Sequence, residues 1–394
     1  MHVRGWIKDV MYGLIIFGIC AALILVVSVA ADNIVAKHNA VIVSKNVNSN
    51  LDYDDSLCMS VDNVSGSEND ENVNLACDGK EQDNNNINDK KIACWGDSIT
   101  YGLGGQENTY IKSEAGIIDA SNWNYPDTLR YYTGMDVYNL GVCGETSYEI
   151  ALRQGGIKMY VGKQVTVKPG KRTQISIVDE SGKPVILENF NGYETDNQQP
   201  ENVVYINDIP FKLEYDNSRI YISIYDNAVD KSVKLKKGSQ IITKAAHDIS
   251  GDVLVIQMGS NGGWNDYDEL IEQYKAMIAN SGTECYIIIG DTDNPEESVD
   301  SANYTSSQEI GTDDSMWEAA LREAFGEHFI NMRTYLLENA LNIAGLEPTQ
   351  MDEEDLSQGR VPETIKYDYT HLNSYGYYAI GYGVYEKGLE LGYW

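Results

Sequence analysis

Basic side chains are scarce in this chain. Its 394 residues carry 29 Lys and Arg against 60 Asp and Glu, a formal charge of −31. Phosphate contacts need Lys and Arg, so no nucleic-acid partner is expected. Phenylalanine is also scarce, with 5 Phe against 28 Tyr. Tyrosine joins an apolar ring to a polar tip and suits wet or sugar-facing surfaces; a compositional habit accounts for the excess equally well. The six cysteines include no C-x-x-C, and no Cys/His set has zinc spacing, so no metal is expected. There is no G-x-S-x-G elbow and no H-E-x-x-H, and Gly170-Lys171 lacks the upstream glycine of a phosphate loop. Only five histidines are available as a catalytic base.

What is present divides the chain. Arg4 and Lys8 precede residues 10–31, an apolar stretch without charge. About twenty such residues span a bilayer. The flanking positive charge predicts a cytoplasmic N-terminus (1–9), a transmembrane signal anchor (10–31) and the remainder on the extracellular face. A cleaved signal peptide ending near Ser28-Val29-Ala30 is the competing reading, and it gives a secreted protein. Residues 32–90 are rich in Asn, Asp and Ser, too polar to offset chain entropy, and read as a disordered linker. Cys58 and Cys77 lie there and can pair in an oxidising compartment. Cys20 lies in the apolar run.

The folded part begins at Lys91. Strands are expected at 92–95, 135–140, 252–258, 284–290 and 328–332, and helices at 127–132, 267–280, Met316–Phe325, 333–344 and 374–391. Continuous apolar strands alternating with helices imply a parallel sheet covered on both faces. Cys94 and Cys285 fall in such strands, as small hydrophobes. Residues 158–250 break the rhythm with a period of two. They read as an inserted β-rich subdomain between two parts of one domain, 91–157 and 251–394, with a hairpin turning at Asp216-Asn217-Ser218-Arg219.

The first strand breaks at Gly96-Asp97-Ser98 and leaves a serine at its carboxyl end, the edge where α/β sheets bind ligands. Ser98 is the candidate nucleophile. A serine needs a base, usually a His oriented by a carboxylate. His371 alone lies in a loop that also supplies a carboxylate, Asp368, three residues earlier. Oxyanion donors are offered by Gly144, after the second strand, and by the Asn261 side chain, after the third. Cys143 lies in the loop beside Gly144. Arg153 is near enough for a substrate acid or sugar, or for a structural ion pair. Trp264 is placed for a sugar-stacking wall, or for packing over the site.

The four segments GDS, N-x-G-x-x-G, G-x-N and D-x-x-H, in that order, resemble the GDSL-type or SGNH hydrolase family. The resemblance covers most of 91–394 outside the insertion. It implies a flavodoxin-like three-layer α/β/α sandwich with a five-stranded parallel sheet, and no metal or organic cofactor. It implies Ser98 as nucleophile, His371 as base, Asp368 as its orienting acid, and Ser98 N–H, Gly144 N–H and Asn261 as the oxyanion hole. In one departure Gly262 stands where the third segment usually has Asp. The expected activity is an exported serine esterase that removes short acyl groups from carbohydrate by a two-step acyl-enzyme route. The alternatives are a cell-wall glycan O-acetyltransferase with the same site and a non-catalytic surface carbohydrate-binding protein.

Overall fold

The computed structural model describes residues 90–113, 116–185, 202–216, 219–303 and 315–394. The apolar run at 10–31, the polar stretch that follows it, and Cys20, Cys58 and Cys77 lie outside the described residues, as does the Asn217-Ser218 turn. Among the described residues no helix is long and apolar enough to cross a membrane.

Five short apolar strands form one parallel sheet: β1 (Lys91–Gly96), β2 (Asp136–Gly141), β3 (Val253–Gln257), β4 (Tyr286–Ile289) and β5 (Phe329–Ile330). They pair in the order β5-β4-β3-β1-β2, with β1 central between β2 and β3. Trp95 aligns with Leu140 on one side and Ile256 on the other. The helices are α1 (Ser98–Tyr101), α2 (Tyr125–Thr133), α3 (Ser147–Gln154), α4 (Tyr267–Ser281), α5 (Met316–Phe325), α6 (Met332–Ile343), α7 (Gln350–Ser357) and α8 (Ser374–Glu390).

Side chains alternate across a strand, so each run serves two cores. Ile92, Cys94, Val253, Val255, Ile287 and Ile289 pack with α2, α6 and α8. Ala93, Trp95, Leu254, Ile256 and Ile288 pack with α3, α4 and α5. Burial on both faces is why these strands read as unbroken apolar runs. The molecule is therefore a mixed α/β fold with helices on both faces of a parallel sheet.

Between α3 and β3 the chain builds a separate antiparallel sheet. Its seven strands run in spatial order Thr173–Ile175, Arg219–Ile224, Ile209–Asp216, Val203–Ile206, Gln240–Thr243, Met159–Val161, Ile177–Asp179. A two-stranded ribbon, Val165–Val167 with Val233–Leu235, lies beside them. Phe211, Ile222, Val204 and Leu235 centre a core of its own, and Leu152 of α3 joins it. The expected hairpin pairs Tyr215 with Ile220. The β structure ends at Thr243, earlier than the expected 250. A short helix, Lys244–Asp248, follows it, and Ala245 there already packs on the parallel sheet.

Several elements were not expected, α1, α3 and the helix Lys244–Asp248 among them. Tyr110–Ser113 and Gly116–Asp119 form a small antiparallel pair. Its buried residues are only Ile111 and Ile118, too few to show a period. Helix α7 buries Asp352 and Asp355 rather than an apolar stripe, so hydrophobic spacing does not reveal it. Its readable signal is the Thr349/Asp352 capping box.

Candidate active site

The carboxyl edge of the sheet gathers the expected groups because three glycine-bearing turns let backbones meet there. Gly96 ends β1. A Cβ at Gly96 would lie 2.1 Å from Thr100 Oγ1 and 2.4 Å from the Gln257 carbonyl. Asp97 caps α1, its Oδ1 accepting from Ile99 N–H at 3.0 Å. Ser98 is thereby the first residue of α1. On β2, Asn139 accepts from Gly141 N–H at 3.0 Å and donates to the Tyr101 carbonyl at 3.3 Å. A Cβ at Gly141 would fall 2.1 Å from Tyr101 N, so only glycine lets β2 close on α1. Gly144, at φ 79, turns the chain after β2.

The Asp368–His371 segment closes the site from the other side. Asp368 accepts from the backbone N–H groups of Thr370 at 2.9 Å and His371 at 2.7 Å. The same carboxylate meets His371 Nδ1 at 2.8 Å and 3.0 Å. His371 Nε2 lies 2.9 Å from Ser98 Oγ. With Nδ1–H donating to Asp368, Nε2 is the acceptor for the serine hydroxyl. The other described histidines are engaged elsewhere. His247 stacks on Tyr205 and pairs with Asp248. His328 Nδ1 meets the Tyr286 carbonyl and the Tyr393 hydroxyl.

Ser98, Gly144, Asn261 and His371 all line one cavity of about 330 Å³. Asn261 Nδ2 donates to the Glu145 carbonyl at 3.1 Å. A primary amide has two N–H donors, so one fixes the side chain and the second remains for a ligand. Among the described residues no hydrogen bond occupies the N–H of Ser98 or of Gly144. The Asn261 loop is ordered without an Asp at 262. Gly262 N–H donates to the Gly259 carbonyl at 2.8 Å, and the Gly262 carbonyl accepts from both Ser147 N–H and Ser147 Oγ at 3.0 Å.

For Arg153 and Trp264, each left open between substrate contact and a structural use, the structure shows the structural use. Arg153 does not line the cavity. It is 1 % exposed and forms an ion pair with fully buried Glu145, Nη2 to Oε2 at 2.7 Å. Its Nη2 also donates to the Leu140 carbonyl at 2.8 Å, and the guanidinium lies over the Trp95 ring. Arg153 thus braces the turn whose Glu145 carbonyl holds Asn261. Trp264 does not line the cavity either. Its Nε1 donates to the Gly259 carbonyl at 3.0 Å, and its ring packs 5.4 Å from Trp317.

The electrostatics of the site are acidic. Burial pushes Asp97 up to about 7 and Glu145 up to about 7 against the pull of Arg153. Burial raises Asp291 and, with the added charge of Asp291, Asp293. Burial pushes the Cys143 thiol up to about 11, which leaves it a protonated, poor nucleophile beside Ser98. Burial opposes ionisation of Asp368, but the hydrogen bonds from His371 and Thr370 outweigh it and hold its carboxyl below the usual range.

Sequence reasoning missed Asp293, Glu297 and Val299, which line the cavity on the loop after β4. The signal was available: Gly290-Asp291-Thr292-Asp293 leaves the same carboxyl edge as the other three segments. Among the described residues no group of three or more His, Cys, Asp or Glu is arranged to hold a metal. No protein-family model, curated protein or solved structure matches the chain.

Proposed function

We propose that this protein is a serine esterase of the SGNH type. The strand order 2-1-3-4-5 is that of flavodoxin-like folds and supports the reading. The observation that carries it is the hydrogen-bonded chain Ser98 Oγ–His371–Asp368, with 2.9 Å and 2.8 Å links, built from residues 273 positions apart.

In this reading Ser98 attacks the ester carbonyl and passes its proton to His371 Nε2. Asp368 holds the ring in the required tautomer and stabilises the imidazolium. The oxyanion accepts from Ser98 N–H, Gly144 N–H and the second Asn261 N–H. His371 returns the proton to the departing alcohol. Water, activated by the same ring, then releases the acid from Ser98. The cavity is near the small end for ligand sites, about 300 Å³, which suits a short acyl group on a small alcohol such as a sugar. The apolar run at 10–31 would tether the enzyme to the extracellular face of the membrane.

Release of acetate from 4-nitrophenyl acetate tests the reading. Wild type should turn over and Ser98→Ala should not, with superimposable melting curves. Equal activity in the two proteins would remove Ser98 from the chemistry.

A further inference from the structure

The cavity wall contains a carboxyl oxygen to which no group of the described residues donates. Asp293 is 5 % exposed and lines the cavity. Its Oδ1 accepts from the Thr370 hydroxyl. Among the described residues nothing donates to Oδ2, and this atom is not among those sealed from solvent. A carboxyl oxygen that faces a cavity is left to hydrogen-bond whatever fills it. The opening onto the cavity makes a ligand its partner.

The rest of the wall restricts what the ligand can be. Asp97, Asp293 and Glu297 line the cavity, and among the described residues no Lys or Arg does. The nearby Lys366 is held by Glu297 at 3.6 Å and Glu363 at 3.8 Å. An anionic group would find no free cation there among the described residues. A purely apolar alcohol would leave Oδ2 unpaired. Tyr369, 68 % exposed, and Val299, 52 % exposed, add flat apolar surface at the same cavity. Such surface suits the C–H face of a ring whose hydroxyls point elsewhere.

We propose that Asp293 is a specificity-determining residue for the alcohol side of the ester, hydrogen-bonding a hydroxyl of a neutral, polyhydroxylated alcohol such as a sugar. This rests on the esterase reading above. It adds the residue that selects the alcohol and excludes anionic esters, and it assigns Tyr369 and Val299 to cover the ring.

The test is the ratio of kcat/KM for a monoacetylated methyl glucoside to that for 4-nitrophenyl acetate, which carries no hydroxyl. Full-length wild type, Asp293→Leu, Asp293→Asn and Thr370→Val are compared. The ratio should fall tenfold or more in Asp293→Leu, because a site built to pair a substrate hydroxyl discriminates strongly once the pairing is gone. It should fall less in Asp293→Asn, which keeps a polar group of the same shape. Thr370→Val loosens the carboxyl but keeps both of its oxygens, and should lower the ratio less than Asp293→Leu does. If Asp293→Leu does not fold, the Asp293→Asn ratio decides alone, and a value within twofold of wild type overturns the proposal. An unchanged ratio in Asp293→Leu also overturns it, whether both activities fall together or neither does. A wild type active on the aryl ester but no better on the glucoside than on hexyl acetate overturns the polyol assignment while the esterase reading stands. A wild type that hydrolyses no ester overturns both.

Discussion

Replacing Arg153 by methionine separates a structural ion pair from a substrate contact. Arg153 and Glu145 are 1 % and 0 % exposed, with Nε to Oε1 at 2.9 Å and Nη2 to Oε2 at 2.7 Å. Removing one partner of such a pair leaves a buried charge uncompensated and costs about 3–5 kcal/mol. In a domain of this size each kcal/mol moves the melting temperature by about 2–4 °C, so a drop of roughly 6–20 °C is expected. The pH dependence carries a definite sign. Burial has pushed Glu145 up to about 7. An acid whose folded value lies above its unfolded one, about 4.3, is harmless below the unfolded value. It costs stability progressively as pH rises through the folded value. Wild type should therefore lose stability from this group between about pH 4.5 and 7. Without Arg153 the folded value climbs further, so the melting temperature of Arg153→Met should fall more steeply between pH 5 and pH 8. Thermal melts at three pH values in that range measure both effects. The double variant Arg153→Met/Glu145→Leu should recover most of the loss, because no buried charge remains. In steady-state assays the single variant should lose kcat rather than raise KM, since Glu145 anchors Asn261 and not substrate. A stability cost below 1 kcal/mol that is flat with pH, joined to a raised KM, would refute the reasoning and return Arg153 to the substrate.

Asn261→Ala should lower kcat on 4-nitrophenyl acetate by about 10²–10³, the usual cost of one oxyanion donor, and a loss under threefold would remove it from the oxyanion hole. Gly96→Ala forces a Cβ to within 2.1 Å of Thr100 Oγ1 and 2.4 Å of the Gln257 backbone. It should cost at least about 3 kcal/mol in urea unfolding, at the top of the overpacking range; a neutral effect would show that α1 does not need to approach β3 so closely. Replacing residues 158–243 by a short Gly/Ser linker, which spares Ala245 on the parallel sheet, should change the choice among acetylated alcohols more than turnover of the aryl ester. Loss of aryl ester turnover in a still-folded deletion would make the insertion part of the site.

The parallel sheet was readable because its inner strands are buried on both faces, and Val253–Gln257 is buried throughout. Strand ends shifted by a residue or two where apolar character outlasts the ladder, as at Met258, which is buried but lies beyond β3. Helix α7 was invisible because its inward side chains are acids that bind Thr349, Thr364 and Arg360 rather than an apolar core. Among the candidate site residues, Ser98, Gly144, Asn261 and His371 line one cavity with Asp368 behind His371, and each sits at a local break whose glycine or spacing has a mechanical reason. Arg153 and Trp264 were ambiguous because the same residue types serve packing and binding. Only their partners, Glu145 and Trp317, decide between those uses, and sequence spacing does not name them. The segment carrying Asp293 was legible as a turn at the same edge, but its partner Thr370, 77 positions away, was not.

The central claim is that Ser98 is an activated nucleophile. The direct test is brief exposure of the folded protein to a fluorophosphonate, followed by intact and peptide mass spectrometry. The account predicts one adduct per chain, on Ser98, and its loss in His371→Ala at an unchanged fold. A folded wild type that takes up no adduct, or takes it up on another residue, would contradict the account.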